Sequence, residues 1–230
     1  MTRPLRAIKK GLSRRTRPRL SAHKPRPRGR PRAEDLEALE ARLLLTAHKA
    51  FVLNGYGAAS MNAIAKIASV SKNTLYARFP SKAALFRAIV ERQIAGAQAE
   101  IAPACSCSQE PLDKRLRDYL NVALRRSVNR EVLEINRLII SEAPQFPELG
   151  EAALARFQLG VRHVAQLIEE GARRDNVQCR NSAIAAEMLL SKAYGWYTFV
   201  LITSRVVSDR ERTSWVANAV SLFMASRSAW

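Results

Sequence analysis

"SVSKNTLYARFPSKAAL", residues 69–85, holds a very short helix between two sharp boundaries. Ser71 can cap a helix over 72–79, its hydroxyl accepting one of the free first-turn N–H groups. Inside it, Leu75 and Phe79 lie one turn apart and share a buried face. Lys72, Asn73, Thr74, Ala77 and Arg78 fall on the outer side, and Tyr76 sits at the margin. Pro80 ends the helix, because the residue before a proline avoids helical geometry. Ser81 then caps the next one, whose inner face is Leu85, Phe86 and Ile89. Two turns bury little by themselves, so the outer face carries the meaning of the stretch.

Working outward, Ser60 can cap a short helix over 61–68 with Ile64, Ala65 and Ala68 turned inward. A turn at Ser69-Val70-Ser71 joins it to the two-turn helix. Before both, Leu36, Leu39, Leu43, Ala47, Ala50 and Phe51 mark one face of a longer helix. It starts near Ala33-Glu34-Asp35, where acidic residues suit the macrodipole, and stops at Asn54-Gly55. A long helix followed by two short ones across a tight turn is a helix-turn-helix. Such a second helix fits the major groove of DNA and presents a few side chains to base edges. Ser60, Tyr76 and Lys82 stand near helix starts or the margin, where phosphate contacts are made.

The rest reads as helical, with no alternating strand pattern. The helix begun at Ser81 is expected to run to about residue 101 and stop at Pro103. Leu112, Leu116, Tyr119, Leu120, Ala123 and Leu124 form one stripe, and Val132, Ile135, Leu138 and Ile139 a second. After the break "APQFPEL" at 143–149, Leu154, Phe157, Val161, Val164 and Ile168 form a third, expected to end by Gly171. Residues 182–204 are apolar nearly all round, which implies burial on more than one side. A last helix is expected over 209–226.

The charge is as uneven as the pattern. The chain carries 38 basic and 20 acidic residues, a formal +18. Residues 1–33 hold thirteen of the basic residues and no acidic one, leaving 25 against 20 elsewhere. That segment also has five prolines and no hydrophobic period, so it is expected to be a disordered basic arm. Arg28-Gly29-Arg30-Pro31 within it resembles an AT-hook core. Gly lets the backbone lie on the groove floor while the arginines run along a narrow minor groove. The plainer alternative is a solvated charge run.

The stretch "GYGAASMNAIAKIASVSKNTLYARFPSKAALF" resembles the DNA-binding domain of the TetR family of bacterial transcriptional regulators, over about residues 36–90. Its Ile-Ala, Val-Ser, Thr-Leu-Tyr and Phe-x-x-Lys pattern carries the likeness. "INRLIISEAPQFPELG" at 135–150 is similar to C-terminal domains of the AefR-like subgroup. The resemblance implies an all-α homodimer, with a DNA-binding domain at 34–81 and a ligand-binding and dimerisation domain at 82–230 following the basic arm at 1–33. It implies base readout by Lys72, Asn73, Thr74, Ala77 and Arg78, with Ser60, Tyr76 and Lys82 on phosphates. One departure is Ser69, where relatives usually carry Gly in the turn. The partners implied are a palindromic operator in double-stranded DNA and a small-molecule ligand. Tyr119, Ala123, Leu138, Phe157 and Val161 are the apolar candidates for its pocket. Arg137, Glu142, His163 and Trp196 are the polar ones. Helices 182–204 and 209–226 are expected to pack against their mates in the dimer.

Other functions fit poorly. Three His, three Cys and no Gly-rich phosphate loop offer no catalytic or metal constellation, so neither an enzyme nor a cofactor is expected. Cys105 and Cys107 read as reduced thiols, with a thiol switch as the alternative. No segment reaches the roughly 18 apolar residues of a membrane span, and the chain reads as cytoplasmic. The rival function is a sequence-nonspecific architectural DNA binder driven by the arm.

Overall fold

The computed structural model describes residues 33–106 and 109–227, and every element among them is an α-helix. The arm with Arg28, Gly29 and Arg30 lies outside the described residues, as do Cys107 and the side chain of Cys105. Helix α1 spans Ala33–Ala58, α2 Met61–Ile67 and α3 Lys72–Arg78. They are followed by α4 Lys82–Ser106, α5 Leu112–Ser127, α6 Arg130–Glu142 and α7 Pro147–Arg174. Helices α8 (Ser182–Thr203) and α9 (Asp209–Ala225) complete the order.

Local chemistry sets most boundaries. Gly55 breaks α1 with φ 79° and ψ 161°, a conformation open to glycine and hardly to any other residue. Ser71, Asn129, Asn181 and Ser208 each accept a first-turn N–H through the side chain, starting α3, α6, α8 and α9. Ser81 does the same for Ala84 at the start of α4. Ser60 takes the extended N-cap conformation, but its hydroxyl makes no capping bond.

Two expected stops are not stops. Helix α4 continues through Pro103 to Ser106. A proline withholds one backbone bond and kinks a helix without always ending it. Gly171 lies inside α7 and is buried; a Cβ there would come within 2.9 Å of Leu112. This glycine is a point of close helix packing.

Two apolar cores result. The first joins α1–α4 to the far part of α6 and the start of α7, through Ile135, Leu138, Ile139, Leu149 and Ala152. At its centre Phe51, Tyr56 and Phe86 meet with ring centroids 5.3–5.9 Å apart, and Phe146 meets Tyr56 at 5.0 Å. Burying each such ring stabilises by roughly 1.5–3 kcal/mol. The second core packs α5, α7, α8 and α9 around Leu116, Leu120, Ile168, Leu189 and Val216. Arg115 of α5 is buried there and pairs with Glu170 of α7 at 2.7 Å.

Candidate functional site

Helix α3 is anchored as its sequence suggests. Leu75 is fully buried and Phe79 nearly so. Ser69 sits at φ 55° in the turn before it, the left-handed region that glycine occupies at least cost. Lys72, Asn73, Tyr76 and Ala77 are exposed, and so is Ser60 at the start of α2. Thr74 is partly covered, its hydroxyl 2.8 Å from that of Ser71.

Two of the expected DNA contacts point elsewhere. The guanidinium of Arg78 turns back onto α1, pairing with Glu40 at 3.1 Å and donating to the Leu36 carbonyl at 3.2 Å. Lys82 gives its ammonium protons to the carbonyls of Tyr56, Gly57 and Ala59, at 2.7, 2.9 and 3.3 Å. It also lies 4.6 Å above the Tyr56 ring. Lys82 thus caps the end of α1, where free carbonyls attract a cation. Nothing in its sequence position announces this, because its partners lie 23–26 residues back.

The opposite side of the same joint is held by α6. Both Glu142 oxygens accept backbone N–H groups, from Tyr56 and Gly57, each at 2.9 Å. The Tyr56 hydroxyl donates to Glu148 at 2.8 Å. Burial, and then that bond, raise the Tyr56 pKa well above the ordinary phenol value. Glu142, an expected pocket residue, is therefore a clamp between α6 and the end of α1.

A cavity of about 470 Å³ lies among α4–α8. Of the expected lining residues, Tyr119, Ala123, Phe157 and His163 face it. Arg137, Leu138, Val161 and Trp196 do not. Arg137 reaches the Leu201 carbonyl in the last turn of α8 and the Ser204 hydroxyl just after it. Leu138 belongs to the first core, and Val161 packs on the second. Trp196 stacks on Trp215 of α9 with centroids 5.2 Å apart. Helical period fixes which residues share a face; it does not say what that face meets.

The sequence reading missed the cavity's polar line. Arg156 donates to Asn136 at 2.6 Å, and Asn136 donates to the Tyr197 hydroxyl at 2.7 Å. Burial pushes the Tyr197 phenol up to about 12, partly offset by the Asn136 bond. Burial also pulls the Arg156 guanidinium below its ordinary value. An Arg between apolar positions of α7 was the available signal.

A short capped helix holding a polar face outward from a helical body defines the class: a helix-turn-helix, DNA-binding transcriptional regulator. Residues 43–89 match the family model described as bacterial regulatory proteins, tetR family. Residues 114–226 match that of the AefR-like transcriptional repressor C-terminal domain. The chain belongs to the TetR family of regulators.

Among relatives, the repressor ComR of Escherichia coli is 34% identical over 92 residues, spanning 40% of this chain and 42% of that protein. The regulator UidR of Escherichia coli is 26% identical over 166 residues, 70% of this chain and 81% of that one. A Mesorhizobium loti structure described as a TetR-family transcriptional regulator superposes with a TM-score of 0.70 at 24% identity. That alignment covers 82% of this chain and 96% of the other. The family is regulatory, not enzymatic. Among the described residues no helix is long and apolar enough to cross a membrane.

Proposed function

We propose that this chain is a homodimeric repressor that holds a palindromic operator and releases it when a small molecule fills the cavity. The observation that carries this reading is the outward face of α3. Lys72, Asn73, Tyr76 and Ala77 are exposed on a helix whose other side is locked by Leu75 and Phe79. In this reading Asn73 and Ala77 meet base edges, with Thr74 beside them. Lys72 joins them at the base edges, and Tyr76 and Ser60 hold phosphates. Arg78 and Lys82 act one step back, fixing α3 and α4 against α1. Arg28, Gly29 and Arg30 follow the adjacent minor groove. The protein works in the cytoplasm, by binding and not by catalysis.

Dimerisation is supported by α8. Met188, Phe199 and Ile202 are 61, 73 and 69% exposed on this largely apolar helix, a surface that calls for a partner. A second copy supplies it with two-fold symmetry, which sets two α3 helices at a fixed spacing. Helix α6 supports the link to the cavity: Asn136 touches the polar line and Glu142 holds the end of α1. A ligand that favours a spacing unsuited to the operator releases it.

The test is a pull-down of sequenced genomic fragments with purified protein, run beside a Lys72→Ala/Tyr76→Ala variant. One palindromic motif, lost in the variant, is the expected result. Diffuse binding that persists in the variant and vanishes without residues 1–32 would favour the architectural reading instead.

A further inference from the structure

We infer that the cavity takes an anion with an apolar body, and that its acidic group pairs with Arg156. This rests on the cavity being the ligand site proposed above and adds the chemical class of its occupant. The lining is mostly apolar, including Ile94, Ile101, Phe157 and Leu190. Among the described residues, its ionisable members other than tyrosines are Arg126, Arg156 and His163, with no Asp or Glu. Arg126 is already matched by Glu100 across α4 and α5.

Arg156 differs. Among the described residues no carboxylate lies within ion-pair distance of it, and its hydrogen bond goes to the neutral Asn136. Arginine stays charged under all ordinary conditions and has five N–H donors. A partly buried guanidinium without a counter-charge is costly to hold. The sequence could have placed a neutral donor there if Asn136 were the only purpose. A carboxylate, sulfonate or phosphate entering the cavity would supply the missing charge and a second acceptor in the planar fork. Tyr194 and Tyr197 line the same cavity, and their phenols offer neutral donors to the same group. The apolar remainder of the ligand would lie along Phe157 and Leu190.

The experiment uses two dyes with the same ring system on the full-length protein. 1-Anilinonaphthalene-8-sulfonate carries an acid; N-phenyl-1-naphthylamine lacks it. Fluorescence titrations are run on the wild type and on Arg156→Gln, Arg156→Lys and Arg126→Gln, with circular dichroism confirming each fold. The sulfonate is expected to saturate at one site per protomer and to bind more tightly than the neutral dye. Arg156→Gln should weaken the sulfonate about tenfold or more, the scale of a hydrogen bond to a charged group. The same change should leave the neutral dye within about twofold, and Arg156→Lys should restore part of the loss. Equal binding of both dyes, no binding of the sulfonate, or a loss that follows Arg126→Gln in place of Arg156→Gln would overturn the assignment. Operator binding is measured on the same samples. Intact site-specific DNA binding with no preference for the acid would discard the ligand class alone, while loss of site-specific binding in the wild type would discard the regulator reading.

Discussion

Ser69 and Gly55 are the two residues where backbone geometry and identity decide most. Ser69 holds φ 55° without being glycine. Ser69→Gly should therefore raise stability, by up to about 1 kcal/mol, seen as a higher urea midpoint with unchanged slope. Gly55→Ala should do the reverse. Its Cβ would meet a Glu142 oxygen at 2.7 Å, in a backbone region closed to alanine. A loss of about 2–4 kcal/mol is expected from strain and displacement together. Both sites were visible in the sequence for a local reason. A turn between short helices and an Asn-Gly after a long one are short-range signals.

At the scale of helices, the joint between α1, α4 and α6 is the feature to test. Glu142→Gln keeps the shape but leaves one oxygen to serve two N–H groups. It should cost about 1–3 kcal/mol and loosen α6 from α1. If α6 carries the ligand signal, operator affinity should stay near wild type while release by ligand weakens; a mobility-shift titration with and without ligand measures both. This joint was not legible in the chain. Ser71, Ser81, Leu75 and Phe79 act within a few residues of themselves, so spacing reveals them. Lys82 and Glu142 act on carbonyls and amides of α1, the latter from 85–86 residues away, and no period encodes that. Trp196 was misplaced for a related reason. Helices rich in apolar residues offer several burial faces, and α8 is apolar nearly all round, so its cavity side could not be told from its α9 side.

For the molecule as a whole, the proposed dimer and the charge of the arm are the features to test. Phe199→Arg on the exposed face of α8 should turn dimer to monomer in sedimentation velocity. Palindrome affinity should then fall by about 10²-fold or more, because two linked half-sites bind far better than one. Removal of residues 1–32 should act differently. It takes away basic residues without touching α3, so the slope of log affinity against log salt should flatten by about 0.9 for each phosphate the arm no longer neutralises. Motif preference within the palindrome's major groove should stay the same. The fold class and the helix order were readable from sequence because apolar residues recur at helical spacing along the chain. The cavity's polar line was not, because Asn136, Arg156 and Tyr197 come from three helices and meet only after folding.

The shared first core has a consequence for how such proteins can be recombined. The flank of α1 and α4 that carries Tyr56 and Phe86 is covered by Phe146 and by α6 residues such as Ile135 and Ile139. A graft that moves only the first 81 residues onto another body would part Tyr56 from Phe86 and bring its flank of α1 to a surface shaped for different side chains. New operator specificity is therefore more readily obtained by exchanging the exposed residues of α3 in place than by transplanting the whole head. Where heads are exchanged, the seam belongs inside α6 and α7, so that the donor's own covering residues travel with it.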